Sequence, residues 1–232
     1  MKRNRNMTNI LNPVLTRTYG GVSGNPVPPF DLGEILRYAG VKGKDIPENE
    51  NLAGKDDLER ICEECIREVE GKFSYRVCFS EYEVNKCEEG LDLGFAVTTS
   101  EALIKHLEPC DRVVVFGATI GLEIDRLIAR YAKISPVKSL FFQAIGAERI
   151  EALCDLYNDE IRKEKEAEGR GLVFRFSPGY GDLPLALQRE IFSALDCPRK
   201  IGLTLNESLL MSPSKSVTAI IGVKRKETGE RV

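Results

Sequence analysis

Histidine is almost absent from this sequence, and neither sign of charge is in clear excess. His106 is the single histidine among 232 residues, so a reaction that needs a histidine base would have to use it, and we expect a surface or capping role instead. Thirty-three Lys and Arg residues stand against 36 Asp and Glu residues. Because nucleic-acid binding depends on neutralising phosphates, this balance argues against a nucleic-acid partner.

Long apolar runs are also missing. The longest, residues 113–116 and 140–142, are far shorter than the roughly 20 residues that span a bilayer. The basic first six residues lead into Pro13 and Gly20 without the apolar segment of a secretory signal. We therefore expect a cytoplasmic protein that has no membrane association.

The seven cysteines form an odd, scattered set, which favours reduced thiols over a disulfide framework. Cys62 and Cys65 have the CxxC spacing of a zinc ligand pair but lie in a strongly helical, acidic stretch. The next two cysteines, Cys78 and Cys87, do not supply a second pair with similar spacing. We expect no metal site.

The pattern of helices and strands favours one domain with two flanking segments. Glycine and proline in residues 1–30 predict an extended arm more than a packed element. A single domain follows over 31–223. The polar tail over 224–232 is expected to be solvated rather than bound to an anion. Periodicity predicts helices at 32–39, 58–69, 122–131, 137–165 and 184–195, and strands at 74–84, 111–116, 172–176 and 216–223. The irregular order indicates an α/β or α+β fold, with strand direction left open.

Two stretches could contact a ligand. Gly117 and Gly121 join a predicted strand to a helix, where either tight-turn packing or an anion on the helix amides explains the glycines. Residues 175–184 place Arg175 before a Pro-Gly turn, and a guanidinium beside backbone amides suits a carboxylate. Tyr180 adds an aromatic face for a purine or a sulfonium. An ordinary β-turn with Arg175 paired to Asp182 explains the stretch equally well.

Acidic and hydroxyl side chains elsewhere could complete such a site. Glu151 lies on the predicted long helix and, if it is near Arg175, could hold a ribose hydroxyl or an ammonium group. Residues 205–219 contain Glu207, Lys215 and several hydroxyls, which suit either a site rim or an ordinary loop.

Two blocks of the sequence resemble a known family. Arg175-x-x-Pro178-Gly179-Tyr180 and, about thirty residues later, Glu207-Ser208-x-x-Met211-x-Pro213-x-x-Ser216-Val217 are similar to the C-terminal activation domain of cobalamin-dependent methionine synthase. The resemblance covers residues 95–222, and residues 31–43 resemble the first helix of free-standing members. It implies an α+β fold, a C-shaped single domain with a bent, mostly antiparallel sheet and flanking helices.

The resemblance also implies a ligand site for S-adenosylmethionine. The family arginine falls on Arg175, which is expected to bind the substrate carboxylate, and the family tyrosine falls on Tyr180. Gly179 is the glycine of the family's Arg-x-x-x-Gly-Tyr motif and is also expected at the ligand site. The turn that follows, which the family places along the adenosine and the cobalamin, falls on Gly181 and Asp182. Two acidic ligand residues of the family fall on Glu151 and, across a gap in the alignment, on Asp31.

This chain departs from the family where cobalamin would lie. The fused enzymes continue the turn with Pro-Ala-Cys-Pro and a histidine, whereas this chain has Gly181-Asp182-Leu183-Pro184 and no nearby histidine. The family residues contributed by the end of the domain also have no equivalent after Val223.

The function that the resemblance implies is repair of an oxidised cofactor. Cob(II)alamin, carried by a partner methionine synthase that lacks this domain, would be reductively methylated by S-adenosylmethionine, with electrons from a flavodoxin-like donor. The chain would then be a methyltransferase component that acts by positioning, without a catalytic side chain. The alternatives are a non-catalytic module that binds S-adenosylmethionine or docks on a corrinoid protein, and a structural subunit of a corrinoid methyltransferase complex.

Overall fold

The computed structural model describes residues 10–21, 24–41 and 55–226. In these ranges the strands are β1 (Leu15–Tyr19), β2 (Tyr75–Glu83), β3 (Asn85–Cys87), β4 (Gly90–Asp92), β5 (Val97–Thr98), β6 (Cys110–Thr119), β7 (Thr204–Leu205), β8 (Met211–Ser212) and β9 (Ser216–Lys224). The helices are α1 (Leu32–Tyr38), α2 (Lys55–Val69), α3 (Glu101–His106), α4 (Glu123–Tyr131), α5 (Pro136–Ala167), α6 (Gln188–Leu195) and α7 (Cys197–Ile201). A 3-10 turn, Leu185–Leu187, precedes α6.

The main sheet is antiparallel throughout. Its strand order is β1-β2-β6-β9, with Phe79 opposite Phe116 and Phe116 opposite Ala219. Strands β3, β4 and β5 form a second small sheet, and β7 pairs with β8. The predicted α+β fold with antiparallel sheets and flanking helices is confirmed, and the α/β alternative is wrong.

Helices cover both faces of the main sheet, so the described residues form two hydrophobic cores. On one face, Val114, Phe116 and Ile221 belong to the core formed with α1, α2, α4 and α5. On the other face, Val113, Val115 and Ile220 pack with α3, α6 and α7. Alternate residues of a strand point to opposite faces, and a strand buried on both faces therefore reads as the continuous apolar run seen at residues 113–116.

Polar caps fix where three of the helices begin. Asp31 accepts a hydrogen bond from the Glu34 amide, Ser100 from the Leu103 amide and Ser135 from the Lys138 amide. Each cap satisfies an amide that the first turn of a helix leaves unpaired. The predicted helices at 32–39, 58–69, 122–131 and 137–165 are confirmed to within three residues at each end.

The first described residues are part of the fold. Strand β1 pairs with β2 along its whole length, and Tyr19 is buried in the core with its hydroxyl donating to Glu160 at 2.7 Å. Arg17 also donates to Glu160, at 2.7 Å. The expectation of an extended arm over residues 1–30 is therefore wrong for 15–19, because sheet hydrogen bonds and these polar contacts outweigh the flexibility of the surrounding glycines.

The glycines at 117 and 121 do not frame a turn. Strand β6 continues through Gly117 to Thr119, and a Cβ at Gly117 would lie 3.2 Å from the Cys197 Sγ and 3.6 Å from the Cys78 Sγ. Gly121, two residues after the end of β6, has a φ of 88°. Gly117 is thus a close-packing position inside the sheet, so the expected turn or anion contact at this residue is wrong.

The CxxC pair and the carboxyl-terminal segment both contact the fold. Cys62 and Cys65 are buried in the core between α2 and α5, and no cluster of three His, Cys, Asp or Glu residues with metal-site geometry occurs in the described ranges. At the carboxyl end, the Arg225 guanidinium donates to the Glu108 carbonyl at 2.8 Å, so this part of the expected solvated tail contacts the fold. Residues 42–54 and 227–232 lie outside the described residues.

Candidate functional site

An irregular edge of the main sheet carries Arg175. Leu172 pairs with Val223 and Phe176 with Ile220, so three residues of the 172–176 segment oppose two residues of β9. One extra residue on one side is a β-bulge, which bends the chain and re-aims side chains. The continuous strand predicted at 172–176 is therefore wrong, and the bulge turns Arg175 away from the ladder and towards α5.

Arg175 lies between two carboxylates of α5. Its Nη2 donates to Glu151 at 2.7 Å and its Nη1 donates to Asp155 at 2.5 Å. Burial by itself would lower the pKa of Arg175, but the hydrogen bond to Asp155 and the neighbouring charges raise it overall. The cluster holds one more negative than positive charge, so it offers a fork for a carboxylate and two acceptors for an ammonium group.

A closed turn places Tyr180 beside this cluster. The Tyr180 amide donates to the Ser177 carbonyl at 3.2 Å, and the Gly179 amide donates to the Leu183 carbonyl at 2.9 Å. Gly179 has a φ of 95°, a backbone conformation that residues with a Cβ rarely adopt. Tyr180 is 69% exposed, with its ring edge-on to Phe176 at a centroid distance of 6.4 Å. An exposed aromatic face therefore stands next to a charged cluster.

Asp182 ties that turn to helix α3. Its carboxylate accepts hydrogen bonds from the Ser100 hydroxyl, from the Glu101 amide at 2.7 Å and from the Ala102 amide at 3.2 Å. The Ser100 hydroxyl contributes most to holding the pKa of Asp182 below its usual value, and the two amides add to the effect. The alternative in which Arg175 pairs with Asp182 is wrong, because Asp182 caps α3 instead.

A cavity of about 370 Å³ opens beside Arg175. Glu151, Arg175 and Tyr180 line it together with residues of α6, β8 and β9. Two of the lining residues, Gln188 and Thr218, are 5% and 2% exposed, and a side-chain oxygen of each has no hydrogen-bond partner in the described part of the chain. The cavity thus combines the charged groups of Glu151 and Arg175 with lining residues whose polar atoms are partly buried in the fold.

A larger groove of about 860 Å³ continues from the same cluster. Asp31, Glu151 and Asp155 line it, so Glu151 belongs to both spaces. The wall at residues 28–31 is held by the buried Arg149, which donates to the Pro28 carbonyl at 2.7 Å and to the Pro29 carbonyl at 2.8 Å. Arg149 also pairs with Glu148, which accepts from the Asp31 amide at 3.3 Å.

The structure brings together most of the residues that the sequence singled out. Arg175, Glu151 and Tyr180 meet at the smaller cavity, and Asp31 lies across the larger groove that shares Glu151. Gly179, Gly181 and Asp182 shape the turn without lining either space. From the expected rim at 205–219, the residues that reach the smaller cavity are Met211, Ser216, Val217 and Thr218.

Sequence reasoning missed Asp155, Gln188 and the Glu148–Arg149 pair. Asp155 follows Glu151 by four residues, and side chains at that spacing lie on one face of a helix, so the signal was available. The sequence pattern carries no such signal for Gln188, because only the fold buries this residue beside the cavity. His106 is not part of the cavity lining: its Nε2 hydrogen-bonds the Phe174 carbonyl at 2.6 Å, which agrees with the expected surface role.

In the described residues, no helix is long and apolar enough to cross a membrane.

No curated protein matches the chain significantly. Among solved structures, the chain is similar to the "Crystal Structure of the MetH Reactivation Domain bound to AdoHcy", with a TM-score of 0.62 and 14% identity over 95% of this chain and 81% of that chain. At this identity the likeness shows the fold alone. The model of the family "Vitamin B12 dependent methionine synthase, activation domain" matches residues 101–228, more than half of the sequence, and the chain therefore belongs to that family.

Proposed function

We propose that this chain reactivates a cobalamin-dependent methionine synthase by S-adenosylmethionine-dependent reductive methylation of cob(II)alamin, acting in trans on a partner that carries the cobalamin. The observation that carries the proposal is the Arg175 cluster, in which a guanidinium and two carboxylates meet at the rim of a cavity beside an exposed tyrosine. The family match supports it, as does the AdoHcy bound to the reactivation domain that this chain resembles in fold.

The residues of the cluster fit the charged end of S-adenosylmethionine. Its amino-acid part carries a carboxylate and an ammonium group, and Arg175 can donate to the first while Glu151 and Asp155 accept from the second. The sulfonium is a cation, which the negative excess of the cluster and the ring of Tyr180 both attract. The smaller cavity is within the size range of small-molecule sites.

In this proposal, the protein's contribution is positioning. Arg175 and Glu151 hold the amino-acid end, and the Tyr180 turn holds the middle of the ligand, so that the methyl group points out of the groove. The corrinoid on the partner would supply, once reduced by one electron, the nucleophile that accepts the methyl group and leaves S-adenosylhomocysteine. This transfer releases no proton, so it needs no general base and agrees with a cavity lining that lacks histidine.

Reactivation in trans requires two partner proteins. The cobalamin arrives on a methionine synthase that lacks an activation domain, and a flavodoxin-like protein supplies the electron. Asp182 stands where the family has a different turn sequence, and it is committed to the α3 cap. The turn that would face the corrinoid is therefore held by Asp182, and it has no equivalent of the family histidine.

Binding and transfer can be tested separately. By calorimetry, we expect wild type to bind S-adenosylhomocysteine and Arg175→Ala to bind it at least about tenfold more weakly, since a hydrogen bond to a charged group is lost. Arg126→Ala is the matched control, because Arg126 is an exposed arginine on α4 that pairs with Glu123. Normal binding by Arg175→Ala would contradict the site assignment.

The transfer step is tested with methyl-labelled S-adenosylmethionine, a reducing system and a cobalamin-loaded methionine synthase that lacks the activation domain. We expect label on the cobalamin only when this chain is present. Ligand binding without label transfer would instead support the non-catalytic module, and complex formation without ligand binding would support a structural subunit.

A further inference from the structure

The single histidine of the chain contacts the segment that carries Arg175. His106 is the last residue of α3, and its Nε2 lies 2.6 Å from the Phe174 carbonyl oxygen. A carbonyl oxygen can only accept a hydrogen bond, so the imidazole is the donor. The imidazole also packs against the Phe176 ring at a centroid distance of 5.4 Å. His106 therefore contacts the residues on both sides of Arg175.

The hydrogen bond satisfies a carbonyl that the bulge takes out of the ladder. Before the bulge, the Val173 amide donates to the Gly222 carbonyl at 2.9 Å. After it, the Phe176 amide donates to the Ile220 carbonyl at 2.8 Å. The Phe174 carbonyl lies between these two contacts and accepts from the histidine of α3 instead. An extra residue in one strand leaves such backbone groups in need of another partner.

This contact fixes the main chain at Arg175. The Phe174 ring is 83% exposed, so its burial does not hold the bulge in place. The Phe174 carbonyl belongs to the peptide group that ends at the Arg175 nitrogen. Because a peptide group is planar, holding its oxygen also fixes the direction in which the chain enters Arg175. The hydrogen bond from His106 thus determines where the Arg175 side chain starts.

Helix α3 holds the ligand-facing segment at two places. Asp182 accepts hydrogen bonds from two amides in the first turn of α3. His106, at the other end of the helix, donates to the Phe174 carbonyl. Residues 174–182 are therefore attached at both ends to one helix, which Leu103 anchors in the core. A guanidinium that binds a carboxylate through two hydrogen bonds depends on such a fixed geometry.

We propose that His106 is a positioning residue for Arg175. By holding the Phe174 carbonyl, it keeps the guanidinium where it can bind the carboxylate of the ligand. His106 itself is not in the lining of the smaller cavity. Glu151 and Asp155 orient the guanidinium from the side of α5, and His106 fixes the main chain from the side of α3. This inference rests on the proposed function, because it concerns the amino-acid end of the same ligand.

Two substitutions separate the donor of His106 from its ring. His106→Phe keeps an aromatic ring against Phe176 but has no donor, whereas His106→Gln keeps an N–H group in place of Nε2. By calorimetry, we expect His106→Phe to bind S-adenosylhomocysteine about fivefold more weakly than wild type, and His106→Gln to recover most of the affinity. 5′-Methylthioadenosine lacks the amino-acid end, so its affinity should be the same for all three proteins.

The two ligands distinguish positioning from a general disturbance of the fold. Unchanged affinity of His106→Phe for S-adenosylhomocysteine would overturn the proposal. An equal loss of affinity for both ligands would also overturn it, because the effect would then not select the carboxylate that Arg175 binds. If His106→Gln binds as weakly as His106→Phe, the ring rather than the hydrogen bond is responsible.

A cycle of variants tests the coupling in the free protein. We expect Arg175→Ala to lower the midpoint of urea unfolding by less in the His106→Phe background than in wild type, since the two residues support one arrangement. Arg126→Ala is the matched control, because Arg126 is an exposed arginine that pairs with Glu123. Its effect should be the same in both backgrounds. Additive effects of Arg175→Ala and His106→Phe would overturn the positioning role. Coupling in a protein that does not bind S-adenosylhomocysteine would instead overturn the proposed function.

Discussion

At the scale of single residues, Asp182 shows how a side chain near the site acts through the fold. Its carboxylate accepts one hydroxyl and two amide hydrogen bonds from residues 100–102, and a Cβ at Gly181 would lie 3.2 Å from that of Ala102. The turn that presents Tyr180 is therefore fastened to the first turn of α3. We infer that Asp182 affects ligand binding by shaping this turn.

This role gives a prediction for pH. Because hydrogen bonding lowers the pKa of Asp182 in the folded protein, the carboxylate stabilises the fold above its ordinary pKa of about 3.9, and this stabilisation is lost as the pH falls through the lower, folded-state value. We expect Asp182→Asn to be less stable than wild type at neutral pH, with a difference that shrinks in strong acid. Urea unfolding over a pH series measures it.

The control for this prediction is Glu166→Gln, which removes an exposed carboxylate from the last turns of α5. Its free energy of unfolding should follow that of wild type at every pH of the series. A stability difference for Asp182→Asn that stays constant down to the acid range would show that the amide disturbs the turn sterically, without a contribution from the carboxylate charge.

At the scale of elements, helix α5 supplies both the acidic side of the Arg175 cluster and a buried ion pair. Arg149 and Glu148 are 1% and 5% exposed, and they hold residues 28–31 through the two proline carbonyls and the Asp31 amide. Burying two charges is costly, and such a pair is often no more stable than apolar residues of similar volume. We infer that the pair is retained because it fixes the wall of the larger groove.

Arg149→Met tests this inference. We expect it to destabilise the protein by roughly 3–5 kcal/mol, since it leaves the Glu148 charge buried without its partner. The double variant Glu148→Leu/Arg149→Met should recover much of that stability in urea unfolding, because no unpaired charge remains. Both variants should bind S-adenosylhomocysteine more weakly than wild type. A double variant that regains full affinity would show that the pair is structural only.

The elements that the sequence predicts well are those with local signals. Helix α5 begins after Ser135 with Pro136 and follows a 3.6-residue apolar pattern, so the sequence predicts it almost to its ends. The bulge at 172–176 escapes prediction, because it depends on how this segment meets a strand more than forty residues later. For the same reason, Gly117 resembles a turn residue in the sequence, although two distant cysteines determine its packing.

At the scale of the whole molecule, the two walls of the site come from segments that are far apart in the sequence. Residues 28–34 form one side of the larger groove, residues 175–180 form one side of the smaller cavity, and Glu151 of α5 belongs to both. β9 supports this arrangement, since it pairs with the bulged segment while its apolar residues enter both cores. One bound ligand that extends across Glu151 would couple segments that are about 140 residues apart in sequence.

Hydrogen exchange can detect that coupling. Exposed turns open locally at little cost, so the amides of 175–182 and 28–34 should exchange readily in the free protein, and a ligand that contacts both walls should slow exchange in both. We expect saturating S-adenosylhomocysteine to protect these two segments and to leave the exposed face of α2 unchanged. The same ligand concentration should give little protection in Arg175→Ala, which serves as the control. Protection confined to 175–182 would place the whole ligand in the smaller cavity and would remove Asp31 from the site, because one ligand can stabilise only the walls that it contacts.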